Sequence, residues 1–460
     1  MKSIIYILLF FIPIFVCGQQ SFDNSMTTNY MWQNVGNACF TAGKAYWPSL
    51  VFNSSSQPCL AFRDYANGRK VTAMKFDGTD WVTIGSAGFS EGVADYISLA
   101  YGPSGEPYVA FMDSSYSHKA TVMKFDGINW VYIGSRGFSP DFALYTSLAF
   151  SPSGEPYVAF GGYCAYNNTE VMKFNGTNWV NVGAVPLSAG TGYYISLAFD
   201  SSGQPYIAYS DDATLFKTTV MKFDGYNWVN VGSAGFSAGE AFWTCLAFGP
   251  SNEPYVAYQD SVNSYKATVM KFDGTNWVNV GVPGFSQGKA DYPSLAFSPS
   301  GEPYLAFQDY GYSLKARVMK FNGTSWVNVG LPGFSSDQAT FTRLAFNPSG
   351  QPYVAFTEPM NFNKATVMKY DSVYDGINKH QQQQLSIYPN PATIILTMSF
   401  DKIATDRNFI EISDIRGLKM DEIQTSENKI AIDVRDYPSG MYFITLNTSK
   451  SIYIAKFCKK

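Results

Sequence analysis

Charge is scarce in this chain. Asp, Glu, Lys and Arg make up 15% of its 460 residues, and the formal net charge is −4. No basic excess is present to neutralise a phosphate backbone, which argues against a nucleic-acid partner. His118 and His380 are the only histidines, too few for a metal cluster or a repeated catalytic base. The six cysteines stand at 17, 39, 59, 164, 245 and 458. No Cys-x-x-Cys pair and no recurring position exists, so neither a zinc site nor a disulfide framework is indicated. No Asp-x-Asp-x-Asp run suggests a calcium loop. Nothing in the sequence asks for a cofactor or a metal.

Long apolar runs are also missing, with one exception. Ile4 to Val16 follows Lys2 and precedes the small Gly18. That run has the length and flanks of a secretory signal peptide, not of a spanning helix. Residues 1–18 are read as the signal, leaving Gln19 as the mature N-terminus. A lipid anchor on Cys17 is the rival reading, and the branched Val16 before it weighs against that. No other segment suits a membrane span.

What the chain does have is aromatic rings and turn residues: 17% Phe, Trp and Tyr, with 39 Gly and 23 Pro. This balance suits short strands joined by tight turns. Tryptophans stand at 32, 81, 130, 179, 228, 277 and 326, always 49 apart. Leu50, Leu99, Leu148, Leu197, Leu246, Leu295 and Leu344 keep the same step. Seven units without an insertion mark a repeat architecture.

Each unit reads as four strands. In one unit they are "YPSLAF" (292–297), "PYLAF" (303–307), "ARVMKF" (316–321) and "SWVNVG" (325–330), called A to D. The turns "SPSGE" and "NGTS" fall between A and B and between C and D. No run carries a 3.6-residue apolar period, which excludes a helical repeat. Four antiparallel strands per repeat of this length predict an all-β fold, a β-propeller with seven blades. The seventh unit has A, B and C but no D after Tyr370. The missing strand is "MWQNVG" (31–36), so the N-terminus is predicted to complete the last blade and close the ring. The "FDGTNW" hairpin resembles that of kelch propellers. The double-glycine strand of that family is absent, and Gly161-Gly162 sits elsewhere. The likeness is therefore to seven-bladed propellers as an architecture. The propeller is assigned to 19–371.

A polar linker, 372–384, ends the repeats. Beyond it stand Pro389-Asn390-Pro391, an Asp414…Gly417 turn, Pro438-Ser439-Gly440 followed by a strand, and a lysine-rich end. Residues 385–460 thereby resemble the C-terminal sorting domain of the type IX secretion system. The resemblance implies a small Ig-like β-sandwich and passage through the periplasm. It also implies recognition by the secretion machinery, with delivery to the outer cell surface or the medium.

Two rings of residues on the repeat are candidates for binding. The position entering strand A is Trp47, Tyr96, Tyr145, Tyr194, Trp243, Tyr292 and Phe341. The position leaving strand B is Asp64, Asp113, Gly162, Asp211, Asp260, Asp309 and Glu358. A and B run antiparallel, so both rings belong to one face of the disc, with the aromatics nearer the axis. Aromatic faces beside carboxylates suit sugar recognition. A structural reading stands beside it. Lysines recur six residues after each acid, and blade three lacks both, with Gly162 and Asn168. An Asp–Lys pair tying the B–C loop explains that, and the aromatics could wedge between blades. A further set, Lys75 and its equivalents with Gln57 or Glu106 and theirs, reads as structural. "GGYCAYNNTE" (161–170) is the asymmetric spot.

Catalysis is not expected. Arg63, Arg69, Arg136, Arg317 and Arg343 share almost no repeat position, so no arginine cluster of the sialidase kind forms. A sevenfold ring also does not single out a hydrolytic pair of acids. The reading is a secreted or surface-displayed, monomeric, non-enzymatic binder of glycans or proteins. The alternatives are a glycan-processing hydrolase and a passive structural surface protein.

Overall fold

Six four-stranded sheets follow one another along the chain, each ordered A-B-C-D in sequence. In the sixth blade these are Ala290–Phe297, Pro303–Asp309, Lys315–Phe321 and Trp326–Asn328. The computed structural model describes residues 29–162, 169–188, 190–373, 386–399, 408–416, 418–447 and 452–460. The signal peptide, most of the linker and most of "GGYCAYNNTE" lie outside the described residues. Tyr30–Ser372 forms one compact unit, and Val373–Lys460 belongs to another. No helix among the described residues is long and apolar enough to cross a membrane.

Turn chemistry sets the hairpins. Between C and D of the sixth blade, Asn322 Oδ1 accepts the N–H groups of Thr324 and Ser325 at 3.0 and 2.9 Å. That is an Asx turn, and the Gly323 within it has a φ of +94°. Strand B is buried along its whole length in this blade. It pairs with A on one side and C on the other, so none of its backbone groups needs water.

The seventh blade is closed as the repeat count predicted. Thr340–Phe346, Pro352–Glu358 and Lys364–Val373 are joined by the N-terminal strand Asn29–Asn34 at the outer edge. The Val35 N–H continues that pairing to the Val367 carbonyl at 2.8 Å. The N-terminal strand and the last repeat therefore share one sheet, which closes the ring.

The repeated tryptophans join blades together. Trp81 Nε1 donates to the Val35 carbonyl at 2.7 Å, and the ring stacks on Phe40 at 4.4 Å. Both partners belong to the preceding blade's outer end. Glycine is required where this chain segment passes the next tryptophan. Gly85 has a φ of +70°, and a Cβ there would lie 2.7 Å from the Phe125 ring. Nearer the axis, Phe346 meets Tyr304 edge-on at 5.0 Å, and Phe52 meets Tyr353 likewise at 4.9 Å across the closure.

The C-terminal unit is two packed sheets. Ser386–Tyr388, Ile395–Ser399 and Lys429–Asp433 form one; Asn408–Asp414, Lys419–Thr425, Gly440–Asn447 and Ile452–Lys459 form the other. Leu396, Met398 and Ile432 pack against Ile410, Ile412, Ile444, Leu446 and Phe457. Asn390 of the Pro-Asn-Pro motif holds the last strand: its Oδ1 accepts the Cys458 N–H at 2.9 Å and its side-chain amide donates to the Lys456 carbonyl at 3.2 Å.

Candidate functional site

Strand A carries a bulge in every blade, between the residue before the ring aromatic and the one two beyond it. At the bulge the aromatic residue itself takes a left-handed backbone. The φ values are 54° at Trp47, 53° at Tyr96, 55° at Tyr145, 53° at Tyr194, 56° at Trp243, 55° at Tyr292 and 55° at Phe341. Large side chains rarely adopt this region, which costs roughly 1 kcal/mol or more at each position. The bulge turns each side chain toward the axis.

There the seven rings form an unbroken circle. Neighbouring centroids lie 4.7, 4.7, 5.0, 4.6, 4.5, 4.8 and 5.0 Å apart, from Trp47 through Phe341 and back to Trp47. Sides of that length put the ring centres roughly 5.5 Å from the axis, so the rings narrow the mouth. Successive planes turn by 41–55°, close to the roughly 51° between blades of a seven-bladed ring. The planes therefore stand steeply along the axis and do not lie flat on the face of the disc. The tyrosines keep their protons: burial raises Tyr96, Tyr145 and Tyr194, and pushes Tyr292 up to about 12.

Below the circle lies an axial cavity of ≈ 190 Å³, whose wall includes Ser49, Ser98, Ser147, Ser196, Ser294 and Arg343. The Thr146, Thr244 and Thr342 hydroxyls reach back to the carbonyls of Tyr96, Tyr194 and Tyr292 in the preceding blade. Backbone strain at the aromatics is thus held from the neighbouring sheet.

The acidic ring sits at the same end of the blades, since Asp64 is paired with Ala45 and Asp309 with Ala290. Its carboxylates are, however, buried: Asp64 is 3% exposed, Asp113 and Asp309 0%, Asp211 4% and Asp260 2%. Asp64 accepts from the Ala66 N–H at 2.9 Å, from Asn67 at 2.8 Å and from the Thr72 hydroxyl at 2.8 Å. Asp260 repeats this with Val262, Asn263 and Thr268. Asp113 and Asp211 cap their loops through Ser115 and Ala213. Asp309 accepts from Gly311 and from Arg317 at 2.7 Å. The acids hold the B–C loops, and their oxygens face inward to the loop, not toward a ligand on the disc. The lysines are their cross-strand neighbours, yet no ion pair joins them among the described residues. The partner on strand C is the threonine two residues further on for Asp64, Asp211 and Asp260, and Arg317 for Asp309. That corrects the Asp–Lys pair expected from the sequence.

The second sevenfold set makes blade-internal ion pairs in two blades. Lys173 pairs with Glu155 at 2.9 Å and Lys320 with Glu302 at 2.8 Å, partly exposed at the far turns. Asp95 and Asp291 are acids outside the repeat that flank the aromatic circle. Asp95 is held by Arg63 and by Trp47 Nε1 at 3.1 Å. Asp291 is held by Gln259, by the Tyr310 hydroxyl at 3.1 Å and by Lys289 at 3.4 Å. The sequence signal for these, and for Arg343, was a departure from the repeat and not a repetition. Among the described residues no group of three His, Cys, Asp or Glu side chains could hold a metal ion.

Fold and site together define a seven-bladed, propeller-type protein with an aromatic-rimmed axial cavity. Residues 386–460 match the family described as "Secretion system C-terminal sorting domain". This segment is a type IX sorting domain, and the chain is exported to the cell surface or the extracellular space. No curated protein matches the chain. Solved structures of similar fold include a protein of unknown function from Dyadobacter fermentans. It is 12% identical, with 74% of this chain and 99% of that one covered and a TM-score of 0.45. An ulvan lyase is 11% identical, with 75% and 97% covered and a TM-score of 0.50. The lectin of Aleuria aurantia is 14% identical, with 65% and 99% covered and a TM-score of 0.43. At 11% identity the likeness to the lyase is one of fold.

Proposed function

We propose that this exported propeller is a non-enzymatic binding protein of the cell surface, and that its ligand, a glycan or an exposed part of a protein, engages the aromatic mouth of the axial cavity. One observation carries the reading. Seven large aromatic residues are held in a strained backbone, blade after blade, to build a circle whose members are mostly only half buried. Strain kept at a rim, around a polar cavity, is what pre-organised recognition sites display. Tyrosine hydroxyls and serine hydroxyls supply donors there, and the steep rings offer their edges and inner faces to a group entering along the axis.

A hydrolase is disfavoured by the state of the acids. Glycoside hydrolysis asks for two carboxyl groups free to act on one bond. The repeated aspartates are spent on loop capping, and Asp95 and Asp291 are each engaged by a cation and further donors. A purely structural surface role is the second reading, and the same experiment separates it.

The test is a glycan-array and cell-binding screen of the secreted chain beside the variants Tyr96→Ala and Tyr145→Ala, with circular dichroism as the folding check. Binding by the wild type that drops at least tenfold in folded variants supports the reading. Binding that survives both changes, or a folded wild type that binds neither glycans nor cells, overturns it.

A further inference from the structure

Six of the seven blades build the cavity wall in one way. The Leu99 N–H donates to Ser49 Oγ of the preceding blade at 3.0 Å. The same bond joins Leu148 to Ser98, Leu197 to Ser147 and Leu246 to Ser196 at 3.0 Å, and Leu344 to Ser294 at 2.9 Å. Leu295 donates to Cys245 Sγ at 3.4 Å. Each bond uses a lone pair of the serine and leaves its proton to be donated elsewhere. Among the described residues no acceptor takes the hydroxyl protons of these five serines.

The seventh position is Arg343, which has no lone pair to offer to the next blade. It stands opposite Ala355 as Ser49 stands opposite Ala61, so it enters the cavity at the level of the serines. Its Nη1 donates to the Thr342 carbonyl at 2.9 Å. Among the described residues no carboxylate lies within ion-pair distance of it, and the two acids at the mouth are paired with Arg63 and Lys289. Burial holds its pKa below the usual value, and a guanidinium stays charged even so. A partly buried cation without a counter-ion is costly, and here serine hydroxyls with protons to give line the same cavity.

We infer that the axial cavity is an anion site, in which the Arg343 fork and the serine hydroxyls receive one carboxylate or sulfate group. A planar guanidinium binds such oxyanions through paired hydrogen bonds, and the converging hydroxyls complete their shell. The next inward positions of strand A are small, alanine in six blades and Val51 in the first. This inference rests on the proposed ligand mouth and gives the ligand a charge. An acidic saccharide reaching in with its carboxylate or sulfate is the class that fits, and a free anion is the other source of the same chemistry.

The test uses the secreted full-length chain, its Arg343→Ser variant and its Arg343→Lys variant. Arg343→Ser carries the residue that five other blades have at this position. Melting temperature is followed against sodium sulfate, sodium acetate and glucuronate at constant ionic strength, with neutral glucose as control. The expected result is a saturable rise in the wild type, at least tenfold weaker in Arg343→Ser and intermediate in Arg343→Lys, which keeps the charge but not the fork. Glucuronate binding at least tenfold tighter than acetate identifies the saccharide as the source; equal binding identifies the free ion, and either supports the site. Wild type and Arg343→Ser responding alike overturns it. Wild-type crystals soaked in selenate decide independently of any variant: an anomalous peak between Arg343 and the serines supports the site, and its absence at saturating selenate sinks it. A glycan array that stays blank beside saturable sulfate binding removes only the glycan reading. Glycan binding unchanged in Arg343→Ser removes only the anion site.

Discussion

Trp130 Nε1 donates to the carbonyl of Ile84 at 2.7 Å, and the two residues belong to adjacent blades. Phe89, also from the preceding segment, lies flat against the indole at 4.0 Å. The bond recurs at all seven tryptophans and the stack at six, with Leu187 in the phenylalanine's place beside Trp228, so each tryptophan ties its sheet to the one before. Replacing Trp130 by Phe keeps the stack and removes the donor, leaving a carbonyl unpaired in a buried place. The expected cost is about 1–3 kcal/mol, read from urea denaturation at unchanged cavity ligand response. A loss below about 0.5 kcal/mol would show that the indole N–H is dispensable.

The B–C loops distinguish two partners for the acid ring. Asp260 bonds to its loop and to Thr268, and Lys266 makes no ion pair with it. Asp260→Ala should cost about 1–2 kcal/mol through the lost cap and raise hydrogen exchange at the Val262 N–H. Lys266→Ala should stay within about 0.5 kcal/mol of wild type, as surface substitutions do. Equal losses from the two would restore the Asp–Lys pair as the organising contact.

Acidity should act in an unusual direction at Asp113. Burial raises this carboxyl above the ordinary aspartate range, and its Oδ2 has no partner among the described residues. The folded state therefore holds the proton more tightly than the unfolded chain. The contribution is full below the unfolded value, about 3.9, and is lost as pH rises through the higher folded value. Asp113→Asn removes this dependence, so the variant's stability relative to wild type should grow between about pH 4 and pH 7. Melting curves across that window, showing a gap that stays flat, would contradict the assignment.

In the sorting domain, Asn390 accepts from Cys458 and donates to Lys456. Asn390→Ala should loosen the final strand, with faster hydrogen exchange at the Cys458 N–H and a loss of about 1 kcal/mol in that domain. Secretion of the variant, measured by the share reaching the medium or surface, should fall if an ordered C-terminal strand is what the export machinery reads. Normal exchange at Cys458 would remove the structural premise.

Much of the architecture was legible because it depends on period. A 49-residue step with four alternating apolar runs leaves no room for any other blade. The missing last D strand could be counted, and its replacement at 31–36 recognised from one tryptophan. The convergence of seven aromatics on one face followed from the antiparallel direction of A and B alone.

The fate of individual side chains was a different matter. That Asp64 and Asp309 stand near the aromatic face could be read; that their oxygens are consumed by N–H groups of their own loops could not, because a strand-to-loop corner has no period. Likewise the sequence marks Arg343 as a residue out of step, and no more. Only the closing of seven sheets around one axis brings it among Ser49, Ser98, Ser147, Ser196 and Ser294, since residues 49 apart in the chain become neighbours across a cavity that no single blade contains. Repetition thus determined the strands, the blade number and the closure, all of which are satisfied by local pattern and nearest-neighbour pairing. The tertiary structure decided which polar atoms remain unspent, because that depends on what every other group has already bonded.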